Sequence, residues 1–363
     1  MARTFDKMDP ANERAVASPL LRGLIGGAEA IRDAREFGTI IALILVIALF
    51  SLITDTFWNY DSLWSILGSS AIALAVAAGM TAVIVARQID LSIGATLGVA
   101  AYTVGVLLND GAHPLIALAA AILVGVILGA INGVVVAWLR VPAIIATLGT
   151  ATIYRGLLFI VAPRFLGFLI NADQIPNAFR SLTRHPILGL PLTVIIAGIA
   201  AAAIGLVIGY TPWGRNLYAL GSNPDAARFA GIPAEKSIFS ALTLVGATAG
   251  LGGFLYVMRY ASVGVRAGTG FDFEVISGVV IGGVAIFGGA GRVFGAVLGV
   301  IILNTLARGF VLMSIPEFWK VVATGGAIIA AVGVDAAIAR RRAEVIRLSR
   351  RLHALAKDKE GAA

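Results

Sequence analysis

The feature that most constrains this chain is its division, between residues 38 and 338, into about ten apolar stretches, each close to the roughly 20 residues needed to cross ~30 Å of hydrocarbon. They fall near 38 to 54, 63 to 86, 89 to 109, 114 to 139, 141 to 162, 191 to 211, 237 to 258, 273 to 288, 291 to 313 and 318 to 338. The eighth is short, and the fifth carries Gly149, Thr150 and Arg155 within its run, so these two are the least regular. With 59% hydrophobic and only 13% charged residues, too little polar surface remains to cover a water-soluble globule, and the bilayer is the expected solvent. The expected fold is all-α: a polytopic membrane protein of about ten transmembrane helices.

Charge gives an orientation. If successive loops alternate sides, one face collects the six Lys/Arg before the first span, Arg87, Arg140, Arg215, Arg228, Lys236 and Arg292 in its loops, and eight in the tail, which is 20 of 28. By the positive-inside rule that face is cytoplasmic, with both termini on it. Three regions follow: a cytoplasmic arm over 1–36, a transmembrane domain over 37–338 and a basic cytoplasmic tail over 339–363. In the arm, Leu20, Leu21, Leu24, Ile25, Ala28 and Ile31 share one helical face, which suits either a helix resting on the membrane surface or a solvated arm. No charged-apolar-small pattern precedes the first span, so no cleaved signal peptide is expected. The net charge of +8 owes much to the tail "RRRAEVIRLSRRLHALAKDK", where anionic lipid and topology account for it, and nucleic acid is not an expected partner.

Several chemistries are excluded. The chain has no Cys, and His113, His185 and His353 lie far apart without ligand spacing, so no metal site is expected. No Gly-Lys dipeptide occurs, hence no phosphate-cradling loop of the P-loop kind. No Ser, His and Asp set lies within reach for a membrane hydrolase, and no catalytic residue is assigned.

Charges and breaks in the apolar runs are the candidates for a solute path, because an intramembrane acid costs roughly 2.5 to 3.5 kcal/mol on insertion scales. Asp90, in "RQIDLSIG" with Ser92, reads either as a polar group at the mouth of a path or as the N-cap of the third helix, the latter being favoured. Asp272 and Glu274 in "GTGFDFEVISG", followed by Ser277, open the eighth span, facing a solute or lying at headgroup level. "RVPAIIATLGTATIYRG" interrupts its run with Pro142, Thr147, Gly149, Thr150 and Thr152, and such breaks are tolerated at depth only where protein or a wet cavity satisfies the backbone. Arg155 is expected to snorkel outward or to pair with an acid.

One stretch stands apart. "NLYALGSNPDAARFAGIP" (216–233) holds a short helix with proper ends: Asn223 as N-cap, Pro224 at the first helical position, Asp225 in the positive first turn, Gly231 as left-handed terminator and Pro233 beyond. It reads as a stiff polar peg in a cytoplasmic loop, with Arg215, Asp225 and Arg228 able to pair across an interface. The outer loop 163–190, with Arg164, Arg180 and Arg184, is the longest on its side. "VGVILG" and "FGAVLG" carry Gly125/Gly129 and Gly295/Gly299 on the fourth and ninth spans, either as the mark of an inverted internal repeat or as glycine-mediated helix packing.

The segments "QIDLSIGATLGV", "VPAIIATLGTATIYRG", "GRNLYALGSNPDAARFAGIP" and "GVVIGGVAIFGGAGRVFGAVLG" together resemble the membrane permease of sugar-importing ATP-binding-cassette (ABC) systems, the group of ribose, xylose, rhamnose and autoinducer-2 permeases. The resemblance runs from about residue 40 to 338. It departs at "RQIDLS", where relatives often have Gly for Arg87 or Gln88, and at "FDFEVIS", where many read closer to "YELDAIA", so it leaves the solute open. It implies the ABC importer permease fold with inverted repeats, two permease subunits around one pathway, two ATPase subunits that use ATP and Mg, an extracytoplasmic solute-binding protein, and no cofactor on this chain. It implies that the peg near 223–231 is the coupling helix, with Gly214, Arg215, Asn223, Pro224, Asp225, Ala226, Ala227, Arg228 and Gly231 at the ATPase. Asp90, Ser92, Thr147, Gly149, Thr150, Glu274 and Ser277 are the path candidates. The rival expectation is an ion-coupled carrier with Asp90 or Glu274 as coupling acid.

Overall fold

The computed structural model describes residues 37–184, 186–316, 318–326, 329, 330 and 333. The arm over 1–36, the tail over 339–363 and most of the chain after 326 lie outside the described residues, and with them the surface helix read over residues 20–31. The rest is helical: α1 (Phe37–Ile53), α2 (Tyr60–Val85), α3 (Ile93–Asn109), α4 (Pro114–Ala137), α5 (Ala143–Val161), α6 (Asn177–Arg184), α7 (Leu192–Tyr210), α8 (Pro212–Ser222), α9 (Pro224–Phe229), α10 (Ala234–Tyr260), α11 (Phe271–Ile281) and α12 (Val293–Leu312). A further helix begins at 318. Two short strands, β1 (Leu169–Ile170) and β2 (Val263–Gly264), pair antiparallel and fasten the loop after α5 to the loop after α10.

Each of the first nine apolar stretches coincides at least in part with a helix, and the described part of the tenth, 318–326, is helical. Among the described residues, six helices are long and apolar enough to cross a bilayer: α2, α4, α5 with its extension to Arg164, α7, α10 and α12. The eighth stretch differs most from its reading. Its helix, α11, has 11 residues, or about 16 Å at ~1.5 Å per residue, half a hydrocarbon core. It stops at Gly282, and Gly283, Gly288, Gly289 and Gly291 then take left-handed conformations that bend the chain into α12.

Burial sorts the helices. α2 is interior, with every residue from Ser70 to Val85 buried, and it packs on α7, α8, α10, α11 and α12. α4, α5 and α7 turn one side to the core, while large apolar side chains such as Leu115, Leu123, Ile145, Ile153, Ile199 and Leu206 face outward, as lipid requires.

Glycine sets the closest approaches. Gly125 and Gly129 on α4 meet Gly246 and Gly250 on α10, and a Cβ at any of the four would strike backbone atoms of the opposite helix. Gly295 and Gly299 on α12 meet Gly282 and Gly278 on α11 in the same way. Both small-xxx-small pairs are therefore helix-packing seams.

Candidate functional site

The peg forms as its end signals require. Asn223 Oδ1 accepts a hydrogen bond from Ala226 N at 3.0 Å, Pro224 occupies the first turn, Asp225 lies in that turn, and Gly231 takes φ +79°. α9 spans six residues and follows α8 with only Asn223 between them. α8 is itself capped, Thr211 Oγ1 accepting from Gly214 N at 3.2 Å. Gly214 is buried because a Cβ there would overlap the Ile208 carbonyl as α8 folds back on α7. A small apolar cluster of Leu220, Ala227, Ala234 and Ile232 anchors the peg. Arg215, Asn223, Asp225, Ala226 and Arg228 face outward, and Ala227 faces the anchor. Sequence reasoning missed Phe229. It is 93% exposed at the tip of α9, and the available signal was one large aromatic in an otherwise small and polar loop.

The base of this unit is a backbone junction. A Cβ at Gly221, in the last turn of α8, would overlap the Val85 carbonyl at the end of α2. That same carbonyl accepts from Gly289 N at 2.9 Å. Tyr218 OH donates to the Gly291 carbonyl at 2.7 Å, and Gly289 abuts Ser222 closely enough that a Cβ would collide with it. The end of α8, the end of α2 and the α11–α12 turn thus meet without side chains between them.

A cavity of about 880 Å³ lies at the other end of these helices, walled by α2, α3, α10, α11, α12 and residues 320–325. Among its polar lining are Ser69, Glu274, Asn304, Arg308 and Lys320. Lys320 Nζ donates to Glu274 Oε2 at 3.0 Å, with the side chains 31% and 18% exposed, so α11 and the helix from 318 are joined by an ion pair. Arg308 Nε donates to Ser62 Oγ at 3.1 Å, and Asn304 Nδ2 to the Val300 carbonyl at 3.1 Å.

Of the path candidates, Glu274 lines this cavity. Asp90, Ser92 and Thr147 come together elsewhere, in a buried polar knot. Asp90 is 1% exposed; its Oδ1 accepts from Ser92 N and Ser92 Oγ, both at 2.7 Å, and its Oδ2 from Asn132 Nδ2 at 3.3 Å. Asn132 Nδ2 also donates to Ser92 Oγ at 2.7 Å, and Tyr154 OH to Asn132 Oδ1 at 3.2 Å. Thr147 Oγ1 accepts from Leu91 N at 3.1 Å and donates to the Ala143 carbonyl, while Thr150 donates to the Thr147 carbonyl. The N-cap of α3 is Ser92 and not Asp90, because the carboxylate, three residues before the helix starts, closes a local turn onto Ser92. Gly149 is exposed on α5 with nothing within 4 Å of a built Cβ, and Ser277 is buried, donating to the Phe273 carbonyl. Arg155 turns inward, and among the described residues it forms no close salt bridge, Asp272 being its attractive electrostatic neighbour. Its Nη1 donates to the Val265 and Ala267 carbonyls at 2.7 Å and its Nη2 to the Gly94 carbonyl at 3.2 Å. The loop before α11, turned by left-handed Gly268 and Gly270, presents the Val265 and Ala267 carbonyls inward, and the first turn of α3 presents that of Gly94.

Comparison with known proteins decides the family. A family model described as branched-chain amino acid transport system, permease component, matches residues 62–332. The ribose import permease protein RbsC of Escherichia coli strain K12 is 36% identical over 303 residues, 83% of this chain and 93% of that protein. The chain belongs to the sugar-type ABC importer permease family. The autoinducer 2 import system permease protein LsrC of Salmonella typhi is 31% identical over 291 residues, 80% of this permease and 82% of its relative. LsrC of Yersinia enterocolitica is 32% identical over 290 residues, 80% and 79% of the two chains. No solved structure matches the permease. The family assignment makes it a multi-pass membrane transport component, in keeping with its six long apolar helices.

Proposed function

We propose that this permease is the membrane subunit of an ABC importer for a monosaccharide or sugar-like solute, driven by ATP hydrolysed with Mg on separate ATPase subunits. The observation that carries the proposal is α9: a capped six-residue helix anchored by Leu220, Ala227 and Ile232 that holds Phe229 out in solvent beside Asp225 and Arg228. An aromatic ring flanked by charges fits a groove on another protein, since a central apolar anchor inside a polar rim is how tight interfaces are built. The ATPase is the partner proposed for that groove, with Gly214, Arg215 and the 223–231 segment at the contact.

Displacement of α9 passes to α8 and, through the junction at Gly221, to α2 and the α11–α12 turn. α2 lines the 880 Å³ cavity, as do α11 and α12 on either side of that turn, and the cavity is of the size of small-molecule sites, so force applied at the peg would reach its walls. On this reading two permease copies, identical or different, enclose the pathway, an extracytoplasmic binding protein delivers the solute, and the termini face the cytoplasm of a bacterial inner membrane. The loop 163–190 is its docking surface for the binding protein, tested by a crosslinking scan along that loop.

The deciding experiment reconstitutes the permease in liposomes with and without its ATPase and binding protein. Uptake of radiolabelled sugar should need both partners and ATP, and should survive collapse of ion gradients. Uphill accumulation by the permease alone would support the ion-coupled carrier instead.

A further inference from the structure

A second cavity, about 370 Å³, opens where the start of α2, the start of α7 and the end of α10 meet beside α6. Its lining includes Arg180, Arg259 and Thr193 but no acidic residue. Thr193 is 2% exposed, and its hydroxyl is buried with no hydrogen-bond partner. Nε of Arg259 is likewise buried and without a partner, and among the described residues this guanidinium meets no carboxylate. Gly68 makes the room it occupies, since a Cβ on α2 there would come within 2.7 Å of Arg259 Nε. Thr193 belongs to the first turn of the 19-residue α7, whose leading N–H groups also point toward this end.

Each feature calls for the same ligand. A buried hydroxyl and a guanidinium nitrogen left without partners are costly, the first turn of a helix is positive, and among the described residues Arg259 meets no carboxylate. A tetrahedral oxyanion satisfies all of them, as arginine forks and helix N-termini bind phosphate. Rings mark the level of the site: Tyr60 stacks on Trp64 at 5.3 Å and Tyr256 lies 4.7 Å from Tyr260, with Trp64 and Tyr260 in the cavity wall. Aromatic side chains at the ends of apolar helices sit at the headgroup boundary. We propose that this cavity binds the phosphate of an anionic phospholipid headgroup, held by Arg259, Arg180, the Thr193 hydroxyl and the N-terminus of α7.

The test uses the full-length permease, delipidated in mild detergent and then incubated with phosphatidylglycerol, phosphatidylcholine or inorganic phosphate alone. Lipid retained after gel filtration is counted by mass spectrometry, and melting temperature is followed in each arm. Wild type should retain phosphatidylglycerol over phosphatidylcholine, and Arg259→Gln should retain roughly tenfold less or lower, the scale of one lost charge-assisted hydrogen bond. Thr193→Val keeps the side-chain shape and removes an unpartnered hydroxyl. It should match or exceed wild type in lipid-free melting temperature while losing the shift produced by phosphatidylglycerol, a combination that a purely structural role would not give. Equal retention by wild type and both variants, or equal retention of the two lipids, overturns the proposal. If inorganic phosphate stabilises wild type but not Arg259→Gln, and phosphatidylglycerol does neither, the lipid assignment is overturned and the oxyanion site takes free phosphate.

Discussion

At position 229 an aromatic ring stands in solvent at the end of a helix only six residues long, and that placement is stable only because the helix is stopped at both ends. Removing the Asn223 cap should cost the segment about 0.5 to 2 kcal/mol. An alanine at Gly231, where φ is +79°, strains the terminator by roughly 1 kcal/mol. The double variant Asn223→Ala with Gly231→Ala should therefore reach the membrane in normal amount and copurify with less ATPase. Phe229→Ala should weaken copurification by tenfold or more, about the 1.4 kcal/mol or greater of an interface anchor, without changing the melting temperature of the permease alone. The cap, the proline and the terminator were legible in the sequence because each is a local rule about one turn of backbone. The partners of Asp90 and Arg155 were not, because Asn132 lies 42 residues from Asp90 and the acceptors of Arg155 lie up to 112 residues away. Periodicity carries no information about which distant polar group a side chain meets. Asn132→Leu leaves the Asp90 carboxylate with fewer donors at full burial and should destabilise the permease by about 1 to 3 kcal/mol, read as a lowered melting temperature in detergent.

Among the elements, the α4–α10 seam shows what the many glycines do. Gly246→Ala would place a methyl group against the Gly125 carbonyl and must push the helices apart, whereas Gly149→Ala adds a methyl to open lipid-facing surface and gains helix propensity. The first should lower the melting temperature by several degrees, and the second should leave it unchanged or raise it. Helix positions could be read from apolar run length to within a few residues, but α11 could not. The run from 273 to 288 is apolar enough to be a span, and its truncation follows from Gly282, Gly283, Gly288 and Gly289, which the run itself does not distinguish from the helical glycines of α4. The ion pair of Glu274 with Lys320 holds this half-length helix to the one that begins at 318. If the pair positions α11, Glu274→Gln and Lys320→Gln should each reduce uptake, and the exchange Glu274→Lys with Lys320→Glu should restore part of it.

For the whole molecule, the backbone contact of Gly221, Val85 and Gly289 is the proposed route from the peg to the large cavity. Gly221→Ala, which inserts a methyl into backbone contact, should leave ATP hydrolysis by the assembled importer running while solute uptake falls, and the ratio of the two rates measures the loss of coupling. The family and the peg could be read from the sequence, since they rest on linked motifs, whereas the cavity could not, because its walls come from residues 65 to 325 of the chain. The interior position of α2 has a consequence for the bilayer. Nearly all of its apolar window is enclosed by protein, so a thinner or thicker membrane cannot load it directly. Mismatch should fall on the more exposed helices α4, α5 and α7, at fractions of a kcal/mol per ångström. Transport should then vary little across phosphatidylcholine acyl chains of different length, with the central column insulated as an axle is by its bearing.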